Sequence, residues 1–133
     1  MQTGKSIFAG VAVVSLLFVA GCHTPAATSP FQGHWIGTWK DSRLSQNGTM
    51  DFTIEGDGTL IASIHNNLLN ETEATGTIDR HGKLNYSYAY NGIINEGRGT
   101  LVLDANSGHL KGAISVYSSS KDIGTDEVDL SKQ

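Results

Sequence analysis

From Gly33 onward apolar and polar residues alternate with a period of two, and no stretch sustains a helical period. Trp35, Gly37 and Trp39 share one face of a first strand, with His34, Ile36, Thr38 and Lys40 on the other. Met50, Phe52 and Ile54 predict the inner phase of a second strand, Leu60, Ala62 and Ile64 that of a third, and Thr72, Ala74, Gly76 and Ile78 that of a fourth. Leu84, Tyr86, Tyr88 and Tyr90 form the inner set of a fifth, Gly97, Gly99, Leu101 and Leu103 of a sixth, and Leu110, Gly112, Ile114 and Val116 of a seventh. Val128 and Leu130, set between Glu127, Asp129 and Ser131, predict a weaker eighth. Such alternation buries one face of each strand and wets the other, as in antiparallel sheet.

The breaks between these runs carry turn chemistry. Gly56-Asp57-Gly58, Asp79-Arg80-His81-Gly82 and Asp104-Ala105-Asn106-Ser107-Gly108 supply residues that tolerate positive φ, and each is followed two residues later by leucine. Asn91-Gly92 is a strong hairpin signal and Asn66-Asn67 a fair one. Asn66-Asn67-Leu68-Leu69-Asn70-Glu71 also matches Asn91-Gly92-Ile93-Ile94-Asn95-Glu96, with Asp79 and Asp104 at the same later offset. The repeat unit is thus a hairpin, and four hairpins make eight strands. Eight short sequential strands predict an all-β, antiparallel up-and-down meander closed into a small barrel, because closure removes unpaired edges. A β-sandwich or a curled open sheet is the alternative. An eight-stranded barrel has an interior just wide enough for side chains or one small ligand, and the inward glycines let the sheet coil tightly.

The first 21 residues follow a different pattern. Met1 to Ser6 is polar with one cation, Lys5, and Ile7 to Ala20 is apolar apart from Gly10 and Ser15. This is the build of a signal peptide, too short for a permanent membrane span. It ends in Val19-Ala20-Gly21-Cys22, which resembles the lipobox of bacterial lipoproteins. The resemblance implies cleavage before Cys22 and lipid attachment to its sulfur: diacylglycerol, with fatty acids such as palmitate. Cys22 is the chain's single cysteine, so no internal disulfide competes for it. Several acyl chains, at about 0.8 kcal/mol per buried methylene, suffice for a stable anchor. His23 follows where aspartate would favour retention in the inner membrane, so the resemblance implies a cell-envelope lipoprotein with the outer membrane favoured. The expected organisation is a signal peptide over 1–21, lipidated Cys22 and a flexible linker over 22–30, and a barrel domain over 31–133.

Gly33-His34-Trp35, echoed by Gly37-Thr38-Trp39, resembles the G-x-W signature that opens the first strand of lipocalins and related calycin barrels. The resemblance implies that topology, with a Trp closing one end. It does not carry over a ligand.

Charge narrows the partners. The chain has 9 basic and 13 acidic residues; without Lys5 the mature part has 8 and 13, a net charge of minus five. Nucleic acid is excluded as a partner, since phosphate binding needs a basic face. The membrane is met through the lipid anchor, and an envelope or extracellular protein is the candidate further partner.

In a meander, the connections after strands two, four and six share one end, and these are polar. Those after strands one, three, five and seven share the other, which carries Leu44, Leu68-Leu69, Ile93-Ile94 and the stretch from Tyr117 to Ile123. The tether leaves from the polar end, so the apolar end faces away from the anchoring membrane. Leu69, Ile94 and Tyr117 are the candidate contact residues there, with Leu68 and Ile93 expected to continue the inward phase. Trp35, Trp39, Tyr86, Tyr88 and Tyr90 are candidate pocket-lining residues, competing with aliphatic core residues for a narrow interior.

No catalytic or metal set emerges. His34, His65, His81 and His109 are scattered, without the close spacing of a metal motif. Glu71 with Glu73 and Asp126 with Glu127 read as outward strand faces, and Ser118-Ser119-Ser120 has no neighbouring His. The expected cofactor list holds only the covalent lipid on Cys22. The expectation is a membrane-tethered, non-enzymatic binding or interaction lipoprotein, with a lipocalin-like carrier of a small apolar ligand as the alternative.

Overall fold

The alternating runs fold into eight strands: β1 Gly33–Asp41, β2 Gln46–Ile54, β3 Thr59–Asn66, β4 Glu71–Ile78, β5 Lys83–Tyr90, β6 Ile93–Leu103, β7 Leu110–Ser118 and β8 Lys121–Lys132. A computed structural model describes residues 27–68 and 70–133; the leader, Cys22 and Leu69 lie outside these. Each strand pairs antiparallel with the next, and β8 returns to β1 from Trp35↔Lys132 to Lys40↔Glu127, closing the barrel. The predicted meander is therefore the observed fold, and the sandwich and the open sheet are not.

The turns form as their residues dictate. Asn91 and Gly92 both adopt positive φ, 53° and 78°, the type I′ geometry whose twist matches the flanking strands. Asp57, Asp79 and Asp104 each turn a carboxylate back onto the backbone, accepting from the N–H of Thr59, of His81 and Lys83, and of Asn106. These hydrogen bonds hold all three carboxyls below the usual aspartate range. The Asn66-Asn67 signal resolves differently from its repeat partner. Without a glycine to take positive φ, the connection widens, and Asn66 Oδ1 accepts from the N–H groups of Leu68 and Asn70.

One half of the barrel is solid. Phe52, Met50, Ile54, Leu60, Leu84, Leu101, Leu110, Ile114 and Leu130 are each less than 2% exposed, and burying such a side chain contributes roughly 1.5–3 kcal/mol. Phe31 plugs the end where the chain enters: it is buried, and its carbonyl accepts from Trp35 Nε1 at 2.9 Å. Ser29 N–H bonds the Gly56 carbonyl, and Lys132 Nζ stands 5.7 Å from the Trp35 ring centre. At Gly37, Gly76, Gly99 and Gly112 the space of a Cβ is taken by backbone of the adjoining strand, so the inward glycines do permit close coiling.

Three readings of the alternation need correction. Leu103 is 45% exposed, because β6 reaches the polar turn before its inner phase meets core. Leu68 and Ile93 do not continue a packed inward row; they are 62% and 48% exposed at a rim where the core has ended. β8 is also longer than its apolar residues suggest, since its inner phase begins with Gly124 and Asp126 before Val128 and Leu130.

Candidate functional site

Above the solid half, at the end remote from Phe31, the barrel holds an open cavity of about 260 Å³. Its aromatic wall is Trp39 from β1 with Tyr86, Tyr88 and Tyr90 from β5. Ile64, Thr72 and Val116 complete the sides, and Leu44, Leu68 and Ile123 belong to its rim. Four of the five aromatic residues proposed from sequence therefore come together. Trp35 does not join them, because it lies at the plugged end on the same face of β1, four residues before Trp39.

The sheet beside the cavity is incomplete. β3 pairs with β4 as far as His65↔Glu71, and β5 with β6 as far as Tyr90↔Ile93. Pairing of β4 with β5 covers only Thr75↔Ser87 to Ile78↔Leu84. The upper parts of these two strands thus separate toward the mouth, between Thr72 on one side and Tyr88 and Tyr90 on the other.

Two carboxylates and an amide face this space. Asp41 is 3%, Asn95 6% and Asp126 7% exposed, and all three line the cavity. The β1–β8 register, which ends at Lys40↔Glu127, puts Asp41 and Asp126 at the next position on adjoining strands. Asp41 Oδ1 accepts from the N–H groups of Arg43 and Leu44, at 2.9 and 3.1 Å, and its other oxygen lies against Gly124. A Cβ at Gly124 would collide with that carboxylate, so any side chain there would force Asp41 to shift.

Asp126 has no such donors. Burial first, and the charge of Asp41 second, push its carboxyl up to about 7. Its negative charge and, more strongly, burial also raise the hydroxyls of Tyr86 and Tyr88, while the Asn95 amide draws Tyr88 the other way. Both phenols thus remain protonated at neutral pH and can donate. Tyr86 is fixed by an edge contact to Phe52, with ring centres 6.5 Å apart, and by lying directly over Gly97, where a Cβ would strike its ring. Asn95 Oδ1 is buried with no hydrogen-bond partner, an exception among buried polar atoms.

Asp126 corrects the expectation of an outward carboxylate pair: only Glu127 faces out, since neighbours on a strand point to opposite sides. Asp41, Asn95 and Asp126 were not among the candidate residues. Parity was the available signal, for Asp41 is two residues beyond Trp39, Asn95 two before Gly97 and Asp126 two before Val128.

The candidate contact residues scatter. Ile94 is 61% exposed beside the mouth. Tyr117 is half-buried on the outer wall, with the Arg98 guanidinium 5.0 Å from its ring centre, and does not line the cavity. Leu69 and Cys22 lie outside the described residues. The four described histidines, His34, His65, His81 and His109, stay on the outer wall or in turns, His34 bonded to Asp51 at 2.6 Å and His109 to Asp129 at 2.7 Å. Among the described residues no three His, Cys, Asp or Glu side chains gather as a metal set.

Comparison of the chain with protein-family models, with curated proteins and with solved structures finds no match.

Proposed function

We propose that this chain is a lipid-anchored envelope protein that binds a small ligand in the mouth of its barrel, without catalysing a reaction on it. The observation that carries the reading is the aromatic cavity of about 260 Å³ at the end opposite the one where the chain enters. Pockets for small ligands are concave and mostly apolar, with a few placed polar groups, and Trp39, Tyr86 and Tyr88 with Asp41, Asn95 and Asp126 have that composition. Attachment through Cys22, as the lipobox implies, would put the membrane on the Phe31 side and turn the cavity outward. The gap between β4 and β5 supplies a route of entry.

A second reading follows from a different feature. Leu44, Leu68, Ile93, Ile94 and Ile123 are all exposed around the mouth, and an apolar ring of this kind suits docking to an envelope or extracellular protein. Native mass spectrometry of the mature protein from its own cells tests both. The ligand-binding reading expects a mass with the leader removed, diacylglycerol and fatty acid added, and a retained small molecule. An acylated protein free of small molecules but bound to a second polypeptide would favour docking. A mass that includes the leader would refute the anchor.

A further inference from the structure

We propose that the ligand of the mouth cavity is an ammonium group on a short apolar stem, its charge set between Asp41 and Asp126 and one N–H directed at Asn95 Oδ1. This rests on the ligand-binding reading above. Three observations converge on it.

The first is charge. The residues lining the cavity include two carboxylates and no Lys, Arg or His. The guanidinium of Arg43, two residues along the chain from Asp41, pairs with Asp122 at 3.2 Å, where both side chains are more than half exposed. A buried carboxylate pair without a cation is costly, and a cation that enters with its own N–H donors removes that cost. The groups facing Asp126 from the packed elements are Asp41 on β1 and Tyr86 and Tyr88 on β5, none of them a cation.

The second is hydrogen bonding. Asn95 Oδ1 is an acceptor, buried and unpartnered, in the wall of the same cavity. With the two carboxylates it makes a set of three acceptors; the Tyr86 and Tyr88 hydroxyls beside them accept as well as donate, so the set suits a head group rich in donors. An ammonium, with three donors and no acceptor, matches it.

The third is the aromatic wall. Trp39 Nε1 is already spent on the His65 carbonyl at 2.9 Å, so Trp39 offers the cavity its ring, not a donor. Aromatic faces attract cations, and Tyr86 and Tyr88, with ring centres 6.0 Å apart, extend that surface. Ile64, Val116 and Leu68 then lie where an alkyl stem would run. The same chemistry is offered by a free alkylamine and by a lysine side chain.

The test is a tryptophan-fluorescence titration of the full mature lipoprotein in lipid nanodiscs at pH 8. The probes are n-butylamine, n-butanol, butyrate, Nα-acetyl-lysine amide and calcium chloride. The expected result is binding of butylamine about tenfold or more tighter than butanol, as charged hydrogen bonds in a part-buried site support, with no binding of butyrate. Asp126→Asn, which keeps shape and removes charge, should bring amine and alcohol to within about twofold of each other while alcohol binding persists. Tighter binding of the lysine derivative than of butylamine would identify a lysine side chain as the source of the ammonium. Equal binding of butylamine and butanol to the wild type would overturn the cation inference and leave the cavity reading standing. Binding of calcium without either amine would overturn it in favour of a metal site. Binding of no probe would sink both readings.

Discussion

Replacing Asp126 with Asn should stabilise this protein at pH 8 and leave it nearly unchanged at pH 4. Burial and Asp41 raise the carboxyl from an ordinary 3.8 to about 7. The native state therefore holds the proton more tightly than the unfolded chain does. Between about pH 4 and pH 7 the folded state binds more protons, so the free energy of unfolding falls as pH rises through this window. Asp126 costs stability above it and costs none below it. A displacement of about three pKa units, at roughly 1.4 kcal/mol each, sets a ceiling of about 4 kcal/mol. The mouth is open to water, which screens the charge, and the expected gain is about 1–3 kcal/mol. For a domain of this size that corresponds to a rise in midpoint temperature of about 5–15 °C. Urea unfolding of both proteins, followed by circular dichroism from pH 4 to pH 8, measures the difference. Groups titrating elsewhere cancel in the subtraction. A difference that stays constant across the range would refute the placement of this carboxyl in a buried pair.

Other substitutions probe the packing beneath the cavity and the proposed lipid anchor. Gly97→Ala should cost about 1–3 kcal/mol through overlap with the Tyr86 ring and narrow the cavity floor; Tyr86→Leu in the same chain should restore part of the loss, as a double-mutant cycle in thermal unfolding would read. Leu101→Ala should cost about 2–5 kcal/mol, whereas Ile94→Ser at the exposed rim should stay within about 0.5 kcal/mol, both by urea denaturation. Below about pH 4, stability should fall as the depressed carboxyls of Asp57, Asp79 and Asp104 are protonated and their turn hydrogen bonds weaken; changing all three to Asn should flatten that acid limb. Cys22→Ser should abolish metabolic labelling with palmitate and move the protein from the membrane pellet to the soluble fraction, since a serine carries no sulfur for the lipid.

The alternation of Trp35-Gly37-Trp39, Met50-Phe52-Ile54 and Leu84-Tyr86-Tyr88 is local physics. A period of two leaves the chain few choices but strands with one buried face, and Asn91-Gly92 or Gly56-Asp57-Gly58 can only be tight turns between them. Strand count, antiparallel order and the closed barrel follow from these and from the cost of open edges, and all were legible in the residues alone. The aromatic lining was legible for the same reason, apart from Trp35.

The polar half of the cavity was not. Asp41, Asn95 and Asp126 hold inward positions by parity, but a charged residue at a strand end normally turns to water, and hydropathy weighs it accordingly. Whether such a residue is buried depends on what closes over it: here Gly124 against the Asp41 carboxylate, and Asp126 beside it across a register set by the meeting of the first and last strands. Closure of β1 on β8 joins residues more than eighty positions apart. Local pattern therefore determined the barrel, while only the closed barrel decided that one of its ends would be plugged by Phe31 and the other would bury two carboxylates and an unpartnered amide oxygen in the wall of an open cavity.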